Sequence, residues 1–481
     1  MKWATKLIGF LMLLMVSTQL SAKILLPQIL SSNMVLQRNK AVVIWGYAAP
    51  GEKVNVRFAG QTKNTTTTPA GTWEVTLDPL KTSSVPQSMF ISGSNKIELT
   101  NILIGEVWVC SGQSNMEYAM RKLAKIPKPL NEKLGFPKDE VAQAKNPNIR
   151  IFLVNRKTLA KPDSLHQSWS VARESALKAF SAVGYFYAKT LQEKLGIPIG
   201  MIETAVSGSA IEPWIAKDAL LTEDYFKDKK LSNDPGKFYD TMVEPMSKFK
   251  IRGFLWYQGE TNCFLNETIS YAYKMKTLIK LWRTAWQDQN APFYYVQIAP
   301  YNYSKHSGQV ALDENTEPTF WEAQAELLRM PQTGMIATTD LNDNGEDLHP
   351  TYKWVVGKRL AMLSLAKTYG NKTRYSGPVF SSLLQKDNSL ILKFGEASGL
   401  EFQQPNLATG FEIAGADGKF YDATAKLIGN TVVLNSPMVK NPICARYNWT
   451  ETPKGTLANT EGWLALPFRT DNPLHAQFKI N

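Results

Sequence analysis

The chain has 481 residues, with 54 Lys and Arg against 42 Asp and Glu for a formal charge of +12, and is 44% apolar and 11% aromatic. That length suits roughly two to four globular units, and that composition excludes a disordered or fibrous chain. Cys110, Cys263 and Cys444 are too few for a disulfide framework, and four histidines without an HExxH pair leave little for an imidazole metal site.

Lys2 and Lys6 precede an apolar run over residues 7–16 and a small-residue stretch ending at Ala22. This reads as a cleavable leader over 1–22, cut near Ala22, which makes the mature protein periplasmic or extracellular. No later stretch is long enough to span a bilayer, so no integral membrane span is expected.

From 23 to 103 the pattern is short β-type runs (41–47, 53–58, 72–77, 96–99) broken by Pro50-Gly51, Ala70-Gly71 and Ser92-Gly93-Ser94. No helical period interrupts them, so an N-terminal β-sandwich-like domain is predicted.

Between 104 and 370 apolar runs at 106–110, 151–154, 199–206, 253–257, 293–298 and 335–339 alternate with amphipathic segments. Val183, Tyr187, Leu191 and Leu195 recur every four residues and stop at Gly196, a helix with its C-terminal signal. Tyr271, Met275, Leu278, Trp282 and Trp286 form a second stripe, and residues 355–365 a third. Alternating strand and helix predicts an α/β fold with a parallel sheet covered on both faces.

Within this region, residues 121–162 hold eleven Lys and Arg against three acids. Nothing in this basic insertion resembles a nucleic-acid recognition motif, and export argues against such a partner. It is either a solvated insertion or a source of attraction for an anionic substrate or cell-surface polymer. From 371 to 481 the β texture returns, at 389–394, 410–413, 426–434, 444–447 and 463–466, predicting a C-terminal β domain.

Four strand ends carry chemistry-bearing residues. Glu106-Val-Trp-Val-Cys-Ser-Gly-Gln-Ser-Asn-Met116 runs from an apolar strand into a small polar turn that presents Ser111, Gln113, Ser114 and Asn115. Ligand sites in open α/β sheets form beyond such carboxyl ends, and the following helix start offers free N–H donors. A serine there suits a nucleophile, although no GxSxG elbow occurs in the chain. Thr204-Ala-Val-Ser-Gly-Ser209 and Trp256-Tyr-Gln-Gly-Glu-Thr-Asn262 follow two further strands, where glycine N–H and amide groups can face a developing negative charge. The fourth piece is Asp340-Leu-Asn-Asp-Asn-Gly-Glu-Asp-Leu-His-Pro350. His349 suits a general base, with Asp347, Glu346 or a distant Glu260 to orient its ring. Asp340, Asn342, Asn344 and Gly345 have the spacing of a calcium loop, but Thr351 stands where a bidentate Glu is required.

Together these segments resemble the sialate O-acetylesterase family of the SGNH (GDSL-like) hydrolases. The likeness covers nearly the whole mature chain: Asn33-Met-Val-Leu-Gln-Arg38, Val43-Ile-Trp-Gly46, the 105–116 block, Phe180-Ser-Ala-Val-Gly-Tyr185, Trp256-Tyr-Gln-Gly-Glu260, His349-Pro350 and Pro467-Phe-Arg-Thr-Asp471 fall in the family's order. The resemblance implies a three-layer α/β/α core between two β-sandwich-like regions, with Ser114 as nucleophile and His349 as base. It further implies an oxyanion hole made by the N–H groups of Ser114 and Gly208 with the Gln258 amide. Asp347 is the favoured third member, since Asp-x-His-Pro is similar to the bacterial pattern, and Glu260 is its rival because related esterases use the Glu of a Gln-Gly-Glu block. Ser207 departs from the Gly-Gly pair usual in the family.

The implied activity is removal of O-acetyl groups from a sugar or glycan, without metal or cofactor. Sialate, acetylated xylan and pectin all remain open as substrates, and no protein partner can be inferred. A non-catalytic carbohydrate-binding protein on the same scaffold is the alternative of another class.

Overall fold

The computed structural model describes residues 23–129, 132–154, 168–308, 310–341, 345–395, 399–403 and 409–480. The leader at 1–22, residues 130–131 and 155–162 of the basic insertion, and Asn342 and Asn344 of the calcium-like loop lie outside the described residues.

The N-terminal region holds β1 (Val35–Gln37), β2 (Val42–Tyr47), β3 (Lys53–Phe58), β4 (Gln61–Thr66), β5 (Thr72–Leu77), β6 (Ser83–Ser92) and β7 (Lys96–Gly112). β2 pairs antiparallel with β5, while β6 lies antiparallel between β3 and β7. β7 runs unbroken across position 103. Its first half pairs with β6, and Leu103–Gly105 align with β1. From Glu106 onward it becomes a strand of a second sheet. One strand thus serves two cores, because its side chains remain apolar well past the point where the turn-rich texture ends.

The second sheet adds β8 (Ile149–Leu153), β9 (Ser170–Val171), β10 (Ile199–Ala205), β11 (Gly253–Tyr257), β12 (Phe293–Val296) and β13 (Thr333–Ile336) in the order β13-β12-β11-β7-β10-β8-β9. All pairings are parallel except that of β9 at the edge. Val107, Val109, Phe254 and Trp256 face one core, Trp108, Cys110, Leu255 and Tyr257 the other, as the two-residue repeat of a strand requires. Helices Ile269–Ala285 and Thr316–Glu326 cover the first face, and Ala182–Leu195 with Lys353–Lys367 the second. The expected α/β three-layer core is present. The stripe ending at Leu195 is helical, with Ser181 accepting from Gly184 N–H at its start and Gly196 left-handed (φ 68°) at its end. The Thr316–Glu326 helix was not predicted from sequence, since its polar residues and Pro318 hide its period.

In the C-terminal region the expected run at 426–434 divides into strands Thr424–Ile428 and Thr431–Asn435, paired as a hairpin across a tight turn with Gly429 at φ 58°. The run at 463–466 is not a strand; Leu464 forms only an isolated bridge to Ala458. Pro467, which has no N–H, follows it. The chain then returns to the α/β core, where Leu474 and Phe478 are buried and Tyr273 Oη donates to Gln477 O at 2.9 Å.

The opening Gln37-Arg38 pair has a structural task. Glu106 is fully buried and accepts from Arg38 Nε (2.6 Å), Gln37 Nε2 (3.1 Å) and Arg252 Nε (2.7 Å), tying β1, β7 and the start of β11 together.

Candidate active site

β7, β10 and β11 end in register, with Gly112 opposite both Ala205 and Tyr257. Their following loops therefore open on one place, as neighbouring parallel strands demand. Gly112 has φ 137°, and a Cβ there would lie 2.0 Å from Tyr257 O, so no other residue fits this exit. Gln113 N–H then donates to Tyr257 O (3.0 Å), and its Oε1 accepts from the N–H groups of Gly259 (3.4 Å) and Thr261 (3.3 Å). Ser114 opens a single helical turn, Ser114–Glu117, whose first N–H groups have no partner within the helix. Ser181 Oγ donates to Met116 O and Ser181 N–H to a Glu203 oxygen (2.6 Å), which seats this turn against the Ala182–Leu195 helix.

His349 arrives from the loop after β13, which is separated from β7 by β12 and β11, and its Nε2 lies 2.9 Å from Ser114 Oγ. The structure thus joins the two residues singled out from opposite ends of the domain. Burial pulls the His349 pKa below its ordinary value of 6.5, Lys353 and Lys122 act in the same direction, and Asp347 opposes them. Neutral imidazole, the form able to accept a proton, is thereby favoured near neutral pH.

The three acids behave differently. Asp347 Oδ1 accepts from the backbone N–H of His349 (2.8 Å) and stands 4.0 Å from its Nδ1, beyond hydrogen-bond reach. Glu346 is exposed. Glu260 is buried and accepts from Asn115 Nδ2 at 2.5 Å; burial raises its pKa, and no hydrogen bond joins it to His349 among the described residues. Glu260, the expected alternative as ring orienter, thus meets Asn115 through its Oε1.

Gly208, at φ 71° in an exposed turn after β10, has open space where a Cβ would stand. The preceding Ser207 donates both its N–H and its Oγ–H to Glu117 Oε2 at 2.6 Å. The residue that departs from the family's Gly-Gly pair thus anchors the second loop to the serine's own turn. The Gln258 amide is engaged within the protein. Its Nε2 donates to Asn262 Oδ1 (2.7 Å) and Ser209 O (3.3 Å), so both amide hydrogens serve the buried wall and none is left for an oxyanion. In the last loop, Asp340 makes two hydrogen bonds with Arg359, one at 2.7 Å, which commits its carboxylate to the guanidinium.

Sequence reasoning missed Lys353 and Glu117. Lys353 is buried, donates to Asn115 Oδ1 (2.6 Å) and Pro350 O, and has its pKa pushed down to about 7 by burial. The four-residue step from His349 to the first turn of a helix was its available signal.

A family described as carbohydrate esterase, sialic acid-specific acetylesterase, matches residues 104–366. A carbohydrate acetylesterase structure from Xanthomonas citri superposes with a TM-score of 0.81 at 31% identity, covering 93% of this chain and all of that one (100%). Human sialate O-acetylesterase is 28% identical over 393 residues, 73% of this chain and 72% of its own. The rat sialate O-acetylesterase is 26% identical over 501 residues, covering 87% and 88% respectively. The fold is accordingly that of a carbohydrate esterase. Within that class, the chain belongs to the sialic acid-specific acetylesterase family.

Proposed function

We propose that this protein removes O-acetyl groups from sugars through a Ser114–His349 pair, with Asp347 acting on the imidazole through its charge. The observation that carries the reading is the 2.9 Å contact between Ser114 Oγ and His349 Nε2 at the carboxyl end of β7. Ser114 Oγ attacks the acetyl carbonyl carbon while its proton passes to Nε2. The oxyanion is received by the N–H groups of Ser114 and Gly208. Collapse breaks the bond to the sugar oxygen, which takes the proton from Nε2 and leaves acetyl-Ser114. Water, deprotonated by the same nitrogen, attacks that ester; acetate departs and Ser114 regains its proton.

For the substrate we favour O-acetylated sialic acid, an anionic sugar. The described part of the basic insertion begins directly behind the serine turn, with Arg121, Lys122, Lys125 and Lys128 exposed. The Lys122 ammonium lies 4.6 Å from the centre of the Tyr118 ring and is close enough to bias His349. The reading of residues 1–22 as a leader puts the reaction in the periplasm or outside the cell; no helix among the described residues is long and apolar enough to cross a membrane. Acetate release from O-acetyl sialic acid, acetylated xylan and acetylated pectin tests the assignment. The sialate ester is expected to be preferred, with a kcat/KM that falls as ionic strength rises. Equal rates on all three would remove sialate as the preferred substrate, and absence of acetate from every one would remove the activity.

The acidic limb of the kcat/KM profile reports His349. Its midpoint is expected below pH 6.5, because burial, Lys353 and Lys122 all disfavour the imidazolium. Asp347→Asn removes a charge that favours it, so the limb moves to still lower pH. With Asp347 at 4.0 Å and about half exposed, kcat is expected to fall by about tenfold or less. A midpoint above 6.5 in the parent enzyme would contradict this electrostatic picture.

A further inference from the structure

We propose that Asn115 and Lys353 form a buried positioning link that sets the distance between Ser114 and His349, replacing much of the orienting work usually assigned to a third acid. The inference rests on the esterase reading above and extends it to residues that never touch substrate.

The link is continuous. Asn115 follows Ser114 directly, and its side chain is fully buried. Its Nδ2 donates to Leu348 O at 3.0 Å, the carbonyl just before His349, and to Glu260 Oε1. Its Oδ1 accepts from Lys353 Nζ at 2.6 Å. The same ammonium donates to Pro350 O, the carbonyl just after His349. Both flanks of the histidine are thus held by one network rooted beside the nucleophile. Its distal end is the first residue of the Lys353–Lys367 helix, a rigid element of the core.

Two observations say that this arrangement does more than fill space. Among the described residues no carboxylate lies within hydrogen-bond reach of the imidazole Nδ1, Asp347 being 4.0 Å away and half exposed, so the backbone of 348–350 carries much of the ring's placement. A fully buried ammonium is also costly unless paired. Glu260 opposes its charge, and the rings of Tyr118 and Tyr257 face it at 5.0 and 5.6 Å. A neutral residue would serve packing at lower cost; a cation here keeps two carbonyl oxygens in fixed places and disfavours charge on His349. The charged groups bearing on the pair are Glu260 and Asp347 on the negative side and Lys122 on the positive.

The test compares the full-length enzyme with Lys353→Met, Asn115→Ala, the double variant and Ser114→Ala on an aryl acetate. Kinetics are followed from pH 5 to 9 and thermal unfolding is measured alongside. Lys353→Met is expected to lower kcat by about 10- to 100-fold with KM changed less than about threefold, the signature of misplacement and not of lost binding. Its acidic limb should move to higher pH, since a cation that disfavours the imidazolium has gone. Asn115→Ala should lower kcat comparably, and the double variant should be little worse than the poorer single one, because the residues act as a unit. Folded Lys353→Met with kcat within twofold of the parent, or with an unmoved limb, would overturn the proposal. Should that variant not fold, Asn115→Ala decides alone, and near-parental kcat overturns it. Equal turnover by the parent and Ser114→Ala would instead overturn the esterase reading, a result read in a separate arm.

Discussion

Ser114→Ala is expected to lower kcat on acetylated sugars and aryl acetates by at least ~10³, with KM and thermal stability little changed. The hydroxyl removed is hydrogen-bonded to His349 Nε2, and the Ser114 side chain lies on a half-buried turn and not in either core, so its loss opens no cavity of consequence. What disappears is the proposed nucleophile, whereas the Ser114 N–H remains in place. Turnover above background is therefore expected only at the level that oxyanion stabilisation and binding supply to water attack. A variant that retains near-full turnover would eliminate Ser114 as nucleophile. Loss of activity together with a large fall in melting temperature would mean that the turn itself had collapsed, so both quantities belong in one experiment.

Glu106→Ala is expected to cost about 3–5 kcal/mol of stability, because it leaves the Arg38 and Arg252 guanidiniums facing each other around a vacated site. Glu106→Gln should cost less, since its amide oxygen can still accept. Burial acts to raise the Glu106 pKa, but the bonds and charge of Arg252, with Arg38 and Gln37, outweigh it and hold the carboxyl below its usual 4.5. A depressed carboxylate contributes stability that is present above its unfolded pKa and lost as pH falls through its folded one. Acid unfolding of the parent should therefore steepen below about pH 4.5, and Glu106→Gln should flatten that limb. Denaturant midpoints measured between pH 3 and 7 check both effects; a midpoint unchanged by Glu106→Ala would show that Arg38 and Arg252 relax into water at no cost.

These two residues show where sequence reading is strong. Ser114 sits in a block whose apolar strand, glycine exit and polar turn are local features, each visible without the fold. The helical stripes and the six parallel strands were legible for the same reason: burial on two faces writes its period directly into the side chains. Glu106 stood in the same block, yet its role was hidden, because Gln37, Arg38 and Arg252 reach it from 69, 68 and 146 residues away.

The third acid illustrates the limit more sharply. Asp347, Glu346 and Glu260 were all admissible by residue type, and only the family resemblance of Asp-x-His-Pro favoured Asp347. Tertiary structure turned Glu260 toward Asn115 and left Asp347 against the backbone N–H of His349. Gln258 had the right chemistry for an oxyanion donor, but Asn262, one helical turn later, takes its amide. Ser207 counted as a departure until Glu117 was found accepting both its donors.

By itself, then, the sequence determined the alternation of strand and helix, the serine turn and the lone histidine past a strand, since all three depend on contiguous residues. Strand order and register decided the rest. Placing β7 between β10 and β11 brings three loops together, while the loop after β13 must cross two strands to reach them. Which side chains meet at the end of that crossing depends on where each backbone can be held: Lys353 bonds Pro350 O three residues before it and Asn115 Oδ1 238 residues away.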